Sequence, residues 1–447
     1  DVDVMTDKSI VLAFDKKKAD DRKVWLLEST AKAAGELEVP YGYVKRLAIT
    51  DFVHKDLVNF SLADLKRSIA HVADGLKPSQ RKVMYSCFQK NLRDEMKVAQ
   101  LAAYVAEKSS YHHGEVSLAE TIVKLANDYT GSNNINLLEP CGQFGTRLMG
   151  GKDASQTRYI FTRLTSEARK IFDPKDDPIL NYLDDDGRSI EPEFYMPALP
   201  MVLVNGTEGI GTGFSCYVPP FNPKDISTNI LNFISGKGIQ RMKPWFRGFK
   251  GRVFYENDTW ITEGVWNVIG QTIKVSELPP GRWTQDYKEH LDTLTEKKII
   301  GSYTNNSTTE DVDFVIQGYA GKDLIKDLKL QKTVRTSNMH LFHPTKGIHK
   351  YDSAELILMD FIKLRHEYYI KRKAHLIKVF QAKVDMHSHR AKFVTMVING
   401  TLTVFKRKKR DLEVELSHSF PVVDGTYDYL LNTKTVDYTE ERVSALL

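Results

Sequence analysis

No stretch of the 447 residues is apolar for anything near the roughly 20 residues that a membrane-spanning helix needs. The best run, Met196 to Val204, holds two prolines and stops at Asn205, so a membrane protein is not expected. Cysteine is almost as scarce. Cys87, Cys141 and Cys216 are an odd number, far apart and never in a Cys-x-x-Cys pair, which argues against a disulfide framework or a zinc site and for a reducing, intracellular compartment. The N-terminus, Asp1-Val-Asp-Val4, lacks the basic and apolar portions of a secretory signal and has no initiator Met, so a longer protein is expected upstream. One-sided charge is also missing: 63 Lys and Arg face 58 Asp and Glu, an excess that only hints at a polyanionic partner.

The placement of that excess says more. From Lys77 to Lys97 six cations face only Asp94 and Glu95, a local net of +4. With 41% apolar residues, and about 150 residues per domain, the length suits about three globular domains. Residues 1–50 join a short apolar strand, Ile10 to Phe14, to the charged run Asp15 to Lys23 and a helix punctuated by Gly35 and Pro40; they read as a connector. From Asp51 to Cys216 three short helices are expected: Pro78 opens Ser79 to Lys90, Lys97 to Lys108 follows, and after the turn Tyr111-His-His-Gly114 the residues Leu118, Ile122 and Leu125 give a third its apolar face. With the β-prone stretch Tyr159 to Leu164 they resemble a winged helix-turn-helix, the third helix reading the groove.

Val218-Pro-Pro-Phe-Asn-Pro223 marks a boundary. Beyond it, strands at Gly251 to Ile261 and Ile273 to Leu278, a turn at Glu256-Asn-Asp258 and a helix at Lys322 to Leu330 make a mixed α/β domain to about residue 350. Ser353 to Asn399 then holds neither Gly nor Pro. As one helix it spans about 70 Å at 1.5 Å per residue, with Asp352 and Glu355 as a capping box. Ile357, Phe361, Leu364 and Tyr368 form an apolar seam that blurs beyond Lys371, and Gly400 ends the helix. Lys406-Arg-Lys-Lys-Arg410 and Thr426 to Leu431 suggest a helical knob, and Glu440 to Leu447 starts a helix that the sequence cuts off.

Seven segments in order carry a family resemblance: Arg67-Ser-Ile-Ala-His-Val-Ala-Asp-Gly-Leu-Lys-Pro78, Gln80-Arg-Lys-Val83, Tyr111-His-His-Gly-Glu115, Gly142-Gln-Phe-Gly-Thr-Arg147, Gly150-Gly-Lys-Asp153, Arg158-Tyr159 and Val204-Asn-Gly-Thr-Glu-Gly-Ile-Gly-Thr-Gly213. Together they resemble the DNA-cleavage core of type IIA DNA topoisomerases, the eukaryotic kind more than bacterial gyrase. The resemblance covers essentially the whole chain. It implies a mixed α/β multidomain fold: a connector after the metal-binding TOPRIM domain at 1–50, a winged-helix domain with the catalytic tyrosine at 51–216, an α/β tower at 217–350, and a coiled-coil arm with helical C-gate at 351–447, its return helix cut off. Ala70 stands where the family usually has Pro, a tolerated loop change. The TOPRIM carboxylates that hold Mg²⁺, and the ATPase domain, belong upstream, so this fragment is expected to bind neither Mg²⁺ nor ATP and to cleave poorly alone. The short segment between Phe420 and Gly425, where cellular relatives often carry an insertion, points to a large DNA virus; the location is the nucleus if cellular, the viral replication site in the host cytoplasm otherwise.

The implied chemistry is attack of the Tyr159 hydroxyl on a DNA phosphodiester, giving a reversible phosphotyrosine link. An ordinary phenol is ionised about once in 10³ at pH 7, a deficit of about 4 kcal/mol. Arg158 is suited to supply it, since a guanidinium stays charged and can face phenolate and phosphate together. In an extended segment neighbours point apart, so Arg158 needs a local bend. His113 is expected to donate to the scissile phosphate or relay a proton; a turn histidine capping a helix is the plainer alternative. A metal at His112 and His113 is not expected, because adjacent side chains splay and no ligand sits at the right spacing. Asp184-Asp-Asp-Gly187 reads as an acidic surface turn.

Lys77, Arg81 and Lys82 flank a helix N-terminus, where dipole and cations favour backbone phosphate; Arg67, Gln80, Lys97 and His112 complete the expected DNA contacts. Gly209-Ile-Gly-Thr-Gly213 is no nucleotide loop, because no phosphate-capping helix and no Lys-Ser or Lys-Thr follows. The resemblance gives Ile210 to a wedge pushed between base pairs. The partners expected are double-stranded DNA and a second copy, since one tyrosine holds only one strand. The alternatives are a non-catalytic winged-helix architectural protein dimerised by a coiled coil, and a coiled-coil scaffold with merely solubilising charge.

Overall fold

The computed structural model describes residues 4–33 and 47–446; Gly35 and Pro40 lie outside the described residues. Its first element corrects the sequence reading, for Ile10 to Phe14 is no strand but the end of a helix, Val4–Phe14. A short apolar run carries no period of its own. The helix buries Thr6 and Ser9, one turn apart, and leaves Met5, Ile10, Val11 and Phe14 exposed. Ser9 Oγ lies 3.3 Å from His54 Nε2, and Trp25 Nε1 donates to His54 Nδ1 at 3.1 Å, so a polar relay rather than an apolar seam joins these helices. Asp15 accepts from Lys17 N–H at 2.9 Å, capping the turn Lys16–Lys18 ahead of the helix Ala19–Ala33.

The three expected helices form at Pro78–Lys90, Val98–Lys108 and Glu115–Ala126. Pro78 occupies a first-turn position, where its missing N–H costs nothing, and Gln80 Oε1 accepts the Lys77 N–H at 2.9 Å. Leu118, Ile122 and Leu125 are buried as the pattern required. A minimal ladder closes against them: Met96–Lys97 pairs antiparallel with Phe161–Thr162, extended by bridges between Cys141 and Phe161 and between Leu138 and Leu164. Three hairpins follow, Tyr182–Asp185 with Arg188–Pro192, Thr207–Ile210 with Ser215–Val218, and Met339–His343 with Gly347–Tyr351.

The Pro-rich boundary starts a helix that sequence reasoning missed. Asn222 accepts from Lys224 N–H and Pro223 opens Pro223–Ile234, the side-chain cap and N1 proline of an ordinary helix start. Residues 252–334 hold two antiparallel sheets. One runs Gln331–Val334, Thr259–Glu263, Arg252–Glu256; the other runs Ser302–Asn305, Phe314–Gln317, Thr272–Glu277, Val265–Ile269. The expected turn is a hairpin in which Asn257 and Asp258 both take positive φ, 48° and 56°, as a two-residue type I′ turn demands. The unforeseen helix Thr284–Glu296 places Tyr287, Leu291 and Leu294 in one core with Ile273, Val275, Phe314 and Ile316. The helix expected over Lys322 to Leu330 shrinks to Leu324–Asp327, because Lys329 turns left-handed at φ 49°.

The chain divides into two compact units, 1–366 and 367–447, within the helix Ala354–Ile398. Its cap is not the expected box: Ser353 Oγ accepts the Leu356 N–H at 3.3 Å, while Glu355 Oε1 accepts from Met242 N–H at 2.8 Å. Ile357, Phe361, Leu364 and Tyr368 are buried, and beyond them Ile370, Ile377, Phe380 and Val384 are exposed. Gly400, at φ 72°, ends it. In the second unit Phe393, Val394, Leu402, Leu412, Leu416, Phe420 and Leu430 form a separate core with the helices Lys409–Leu416 and Asp428–Leu431.

Candidate functional site

Thr157, Arg158 and Tyr159 form a turn, closed by the Tyr159 N–H donating to Gln156 O at 2.9 Å; the strand starts only at Phe161. This supplies the bend that an extended segment would deny. The Arg158 guanidinium carbon stands 4.9 Å from the Tyr159 ring centroid, and Tyr159 is 66% exposed. The turn is held from behind by backbone hydrogen bonds and by the buried Ile160 side chain. Helix Val98–Lys108 has no side-chain cap; instead its Val98 and Ala99 N–H groups donate to Ile160 O and Thr157 O at 3.0 and 3.1 Å. Helix and turn thereby satisfy groups that each would otherwise orphan, and the positive end of the helix dipole faces the turn.

The glycine-rich segments at 142–147 and 150–153 fold onto one another beside it. Gly151 N–H donates to Thr146 O, and Asp153 accepts from Thr146 N–H at 2.9 Å and Oγ1 at 2.6 Å. A Cβ on Gly150, at φ 61°, would lie 2.3 Å from the Trp283 ring. Arg147 forms a buried ion pair with Glu277, fastening this loop to the sheets beyond residue 252. Asp153 was not singled out from sequence, although it ends a segment that was.

His113 is exposed and meets Tyr111 edge-on, with ring centroids 5.4 Å apart. His112 points elsewhere: its Nε2 is 3.7 Å from Asp185 Oδ2, in the hairpin of the acidic turn. That turn has Asp186 and Gly187 at φ 49° and 78°, the two positive values of a type I′ hairpin.

Ile210 ends the strand Thr207–Ile210 and is 79% exposed. Its hairpin is pinned by side chains. Asp64 Oδ2 accepts from Thr212 N–H at 2.9 Å and Oγ1 at 3.1 Å, Lys77 Nζ donates to Glu208 O at 2.6 Å, and Asn338 Nδ2 donates to Ser215 Oγ at 2.6 Å. Gly209 is required, since a Cβ there would sit 2.0 Å from Ser68 O. Lys77, Gln80 and Ile210 line one cleft of about 560 Å³. Burial pushes the Lys77 ammonium below the usual lysine range. Asp64 was missed; its only sequence signal is its place one turn before Arg67, to which it is ion-paired at 2.9 Å.

Two expected phosphate ligands are occupied inside the fold, a correction to the sequence reading. Arg81 is buried, bonded to Asp74 at 2.7 Å and to Leu76 O at 2.9 Å; Lys82 is largely buried against Glu191 at 2.9 Å. Their partners neutralise the charge that composition counted as available. Arg67 and Lys97 are exposed, with Lys97 Nζ 5.9 Å from the Phe161 ring centroid. Among the described residues no three His, Cys, Asp or Glu side chains converge as metal ligands, and no helix is long and apolar enough to cross a membrane.

Residues 67–447 match the family model of the A-type chain of DNA gyrase/topoisomerase IV, and residues 2–65 that of the C-terminal associated domain of TOPRIM. The chain is 45% identical over 421 residues to DNA topoisomerase 2 of Plasmodium falciparum, covering 91% of this chain and 30% of that protein. DNA topoisomerase 2 of Saccharomyces cerevisiae is 44% identical over 427 residues, 92% of this chain and 30% of its own length. The chain thus spans about a third of the length of the curated relatives it matches. The solved DNA-binding, cleavage and re-ligation domain of Plasmodium falciparum topoisomerase II superposes with a TM-score of 0.86 at 41% identity, over all of this chain and 65% of that one.

Proposed function

Because the chain belongs to the type IIA DNA topoisomerases, in the DNA gyrase/topoisomerase IV family, we propose that it is the DNA-cleavage and religation core of such an enzyme. Tyr159 Oη bonds to a backbone phosphorus while the bond from phosphorus to one deoxyribose oxygen breaks; that oxygen leaves with the proton, and reversal reseals the strand. The observation that carries this reading is the exposed Tyr159 beside Arg158 on a turn fixed to a helix start. A guanidinium in that place stabilises both phenolate and phosphate charge. His113 hydrogen-bonds the phosphate, and Ile210 enters the base stack, where unstacking costs a few kcal/mol and bends the duplex.

The finer architecture follows the same reading. Residues 51–216, with the three helices and the ladder at 96–97 and 161–162, act as the winged-helix domain, residues 217–350 as the tower, and residues 351–447 as coiled-coil arm and C-gate. A homodimer places one Tyr159 on each strand of a gate duplex, and a second duplex passes through, relaxing or decatenating DNA with ATP. Mg²⁺, when bound at TOPRIM carboxylates, would supply charge neutralisation at the phosphate, while the residues of this chain orient and attack. Lys77, Gln80, Arg67, Lys97 and His112 contact backbone, with Arg81 and Lys82 bracing the loop behind them.

The test joins the chain to a TOPRIM domain, adds supercoiled DNA and Mg²⁺, stops with detergent and counts protein-linked breaks. Wild type forms them and Tyr159→Phe forms none. DNA binding without linkage in either would favour the architectural protein; linkage surviving in the mutant would assign another nucleophile.

A further inference from the structure

At the foot of the Ile210 hairpin, the 560 Å³ cleft holds two ammonium groups from different helices. Lys77 stands at the start of Pro78–Lys90, and Lys124 in the last turn of Glu115–Ala126. Lys124 was not among the residues that the sequence singled out. Among the described residues Glu208 is the only carboxylate on the lining; it is exposed and accepts from Lys77 Nζ through its main-chain oxygen. Among the described residues neither lysine forms an ion pair. Two like charges therefore share a half-enclosed space; burial pushes the Lys77 ammonium below its ordinary range and the Lys124 charge adds to it, with Cys216 and Glu208 opposing. Repulsion of this kind is relieved by an anion that bridges the cleft.

We propose that this cleft seats the sugar-phosphate backbone of the step that Ile210 opens, with Lys77 and Lys124 each on a phosphate. The proposal rests on the DNA-cleaving reading and deepens it. Ile210 is on the same lining, so a strand held by the two lysines runs directly past the exposed wedge. A backbone polyanion covers the cations and the isoleucine together, whereas a small anion leaves the isoleucine bare. A clamp on the flanking phosphates keeps the unstacked step from slipping off the wedge; phosphate contacts set register without reading base sequence.

The experiment measures duplex binding by the enzyme across a salt series, for wild type, Lys124→Ala, Lys124→Gln, Lys124→Arg and, as a remote control, Lys237→Ala in the exposed bend after the helix Pro223–Ile234. Each phosphate contact contributes about 0.9 to the slope of log K against log salt. Lys124→Ala and Lys124→Gln should each lower that slope by about 0.9, Lys124→Arg should keep it, and Lys237→Ala should not change it. Lys124 is exposed, and a thermal midpoint on each variant separates misfolding from lost contact, with two neutral variants guarding against one that fails to fold. An unchanged slope in both neutral variants overturns the proposal, as does an equal loss in the Lys237 control. Competition by pyrophosphate that vanishes in Lys124→Ala, with the slope unchanged, overturns it in favour of a small-anion site. The slope is independent of strand cleavage: linkage through Tyr159 with no slope change sinks this inference alone, and a slope change without linkage sinks the cleavage reading alone.

Discussion

Tyr159 and Ile210 are two exposed side chains on contrasting supports. The tyrosine turn is fixed by main-chain hydrogen bonds to Val98 and Ala99, so the side chains around it remain at liberty to act on a ligand. The isoleucine hairpin has a main-chain anchor, the Tyr217 N–H donating to Asn338 O at 2.9 Å, and is otherwise fixed by the side chains of Asp64, Lys77 and Asn338, residues scattered over more than 270 positions of the chain. On the proposed reading, a group that holds one geometry through bond making would be served by a backbone clamp that most substitutions cannot reach. A wedge that enters and leaves a base stack would be served by side-chain pins that can be individually loosened.

The largest test of that contrast is Gly209→Ala. A methyl placed 2.0 Å from the Ser68 carbonyl meets backbone, not a movable side chain, so we expect a loss of about 3 kcal/mol in a denaturant midpoint. A loss below about 1 kcal/mol would mean the hairpin rides loosely on the 68–77 loop. That loop also makes the hairpin acid-sensitive. His71 is half-buried, stacked on Phe194 at 4.5 Å with its Nδ1 accepting from Ala73 N–H, and desolvation of its ring pushes it down to about 3. Its folded value lies below its unfolded one, so the stability it confers is full above about pH 6.5 and is lost as pH falls toward 3. Between pH 6.5 and 5 this amounts to about 2 kcal/mol. His71→Gln should flatten that stretch of the stability profile; a slope unchanged by the substitution would place the titration elsewhere.

The smallest effect separates the two supports most sharply. Asp64→Ala strips Thr212 of its acceptor and should cost about 1 to 2 kcal/mol, with faster hydrogen exchange at the Thr212 amide. Lys97→Ala, beside the tyrosine turn, removes no cap and should stay within about 0.5 kcal/mol, the Val98 and Ala99 amides exchanging as before. Equal costs at the two sites would abolish the distinction.

Legibility in the sequence followed the range of the interactions. The three helices, the Asn257-Asp258 hairpin and the seam from Ile357 to Tyr368 rest on local period and turn chemistry, and all three formed as expected. Val4–Phe14 was misread because five apolar residues fit strand and helix alike, and its buried face is polar. Arg81 and Lys82 were counted as available because their neutralising carboxylates are seven and 109 positions away; local composition cannot reveal such pairing. The Arg158-Tyr159 pair was legible as chemistry, but the bend that joins it depends on carbonyls capping a helix some 60 residues earlier.

That capping has a mechanical side. On the proposed reading a DNA end attached to Tyr159 Oη would be a tether, and separating two tethered ends would load the chain at residue 159. The anchor points lie on either side of it, at Thr157 O and Ile160 O, so tension is split between two hydrogen bonds acting in parallel and passes straight into the body of Val98–Lys108. On that reading a pull on the link would be shared by the main chain on both sides of Tyr159.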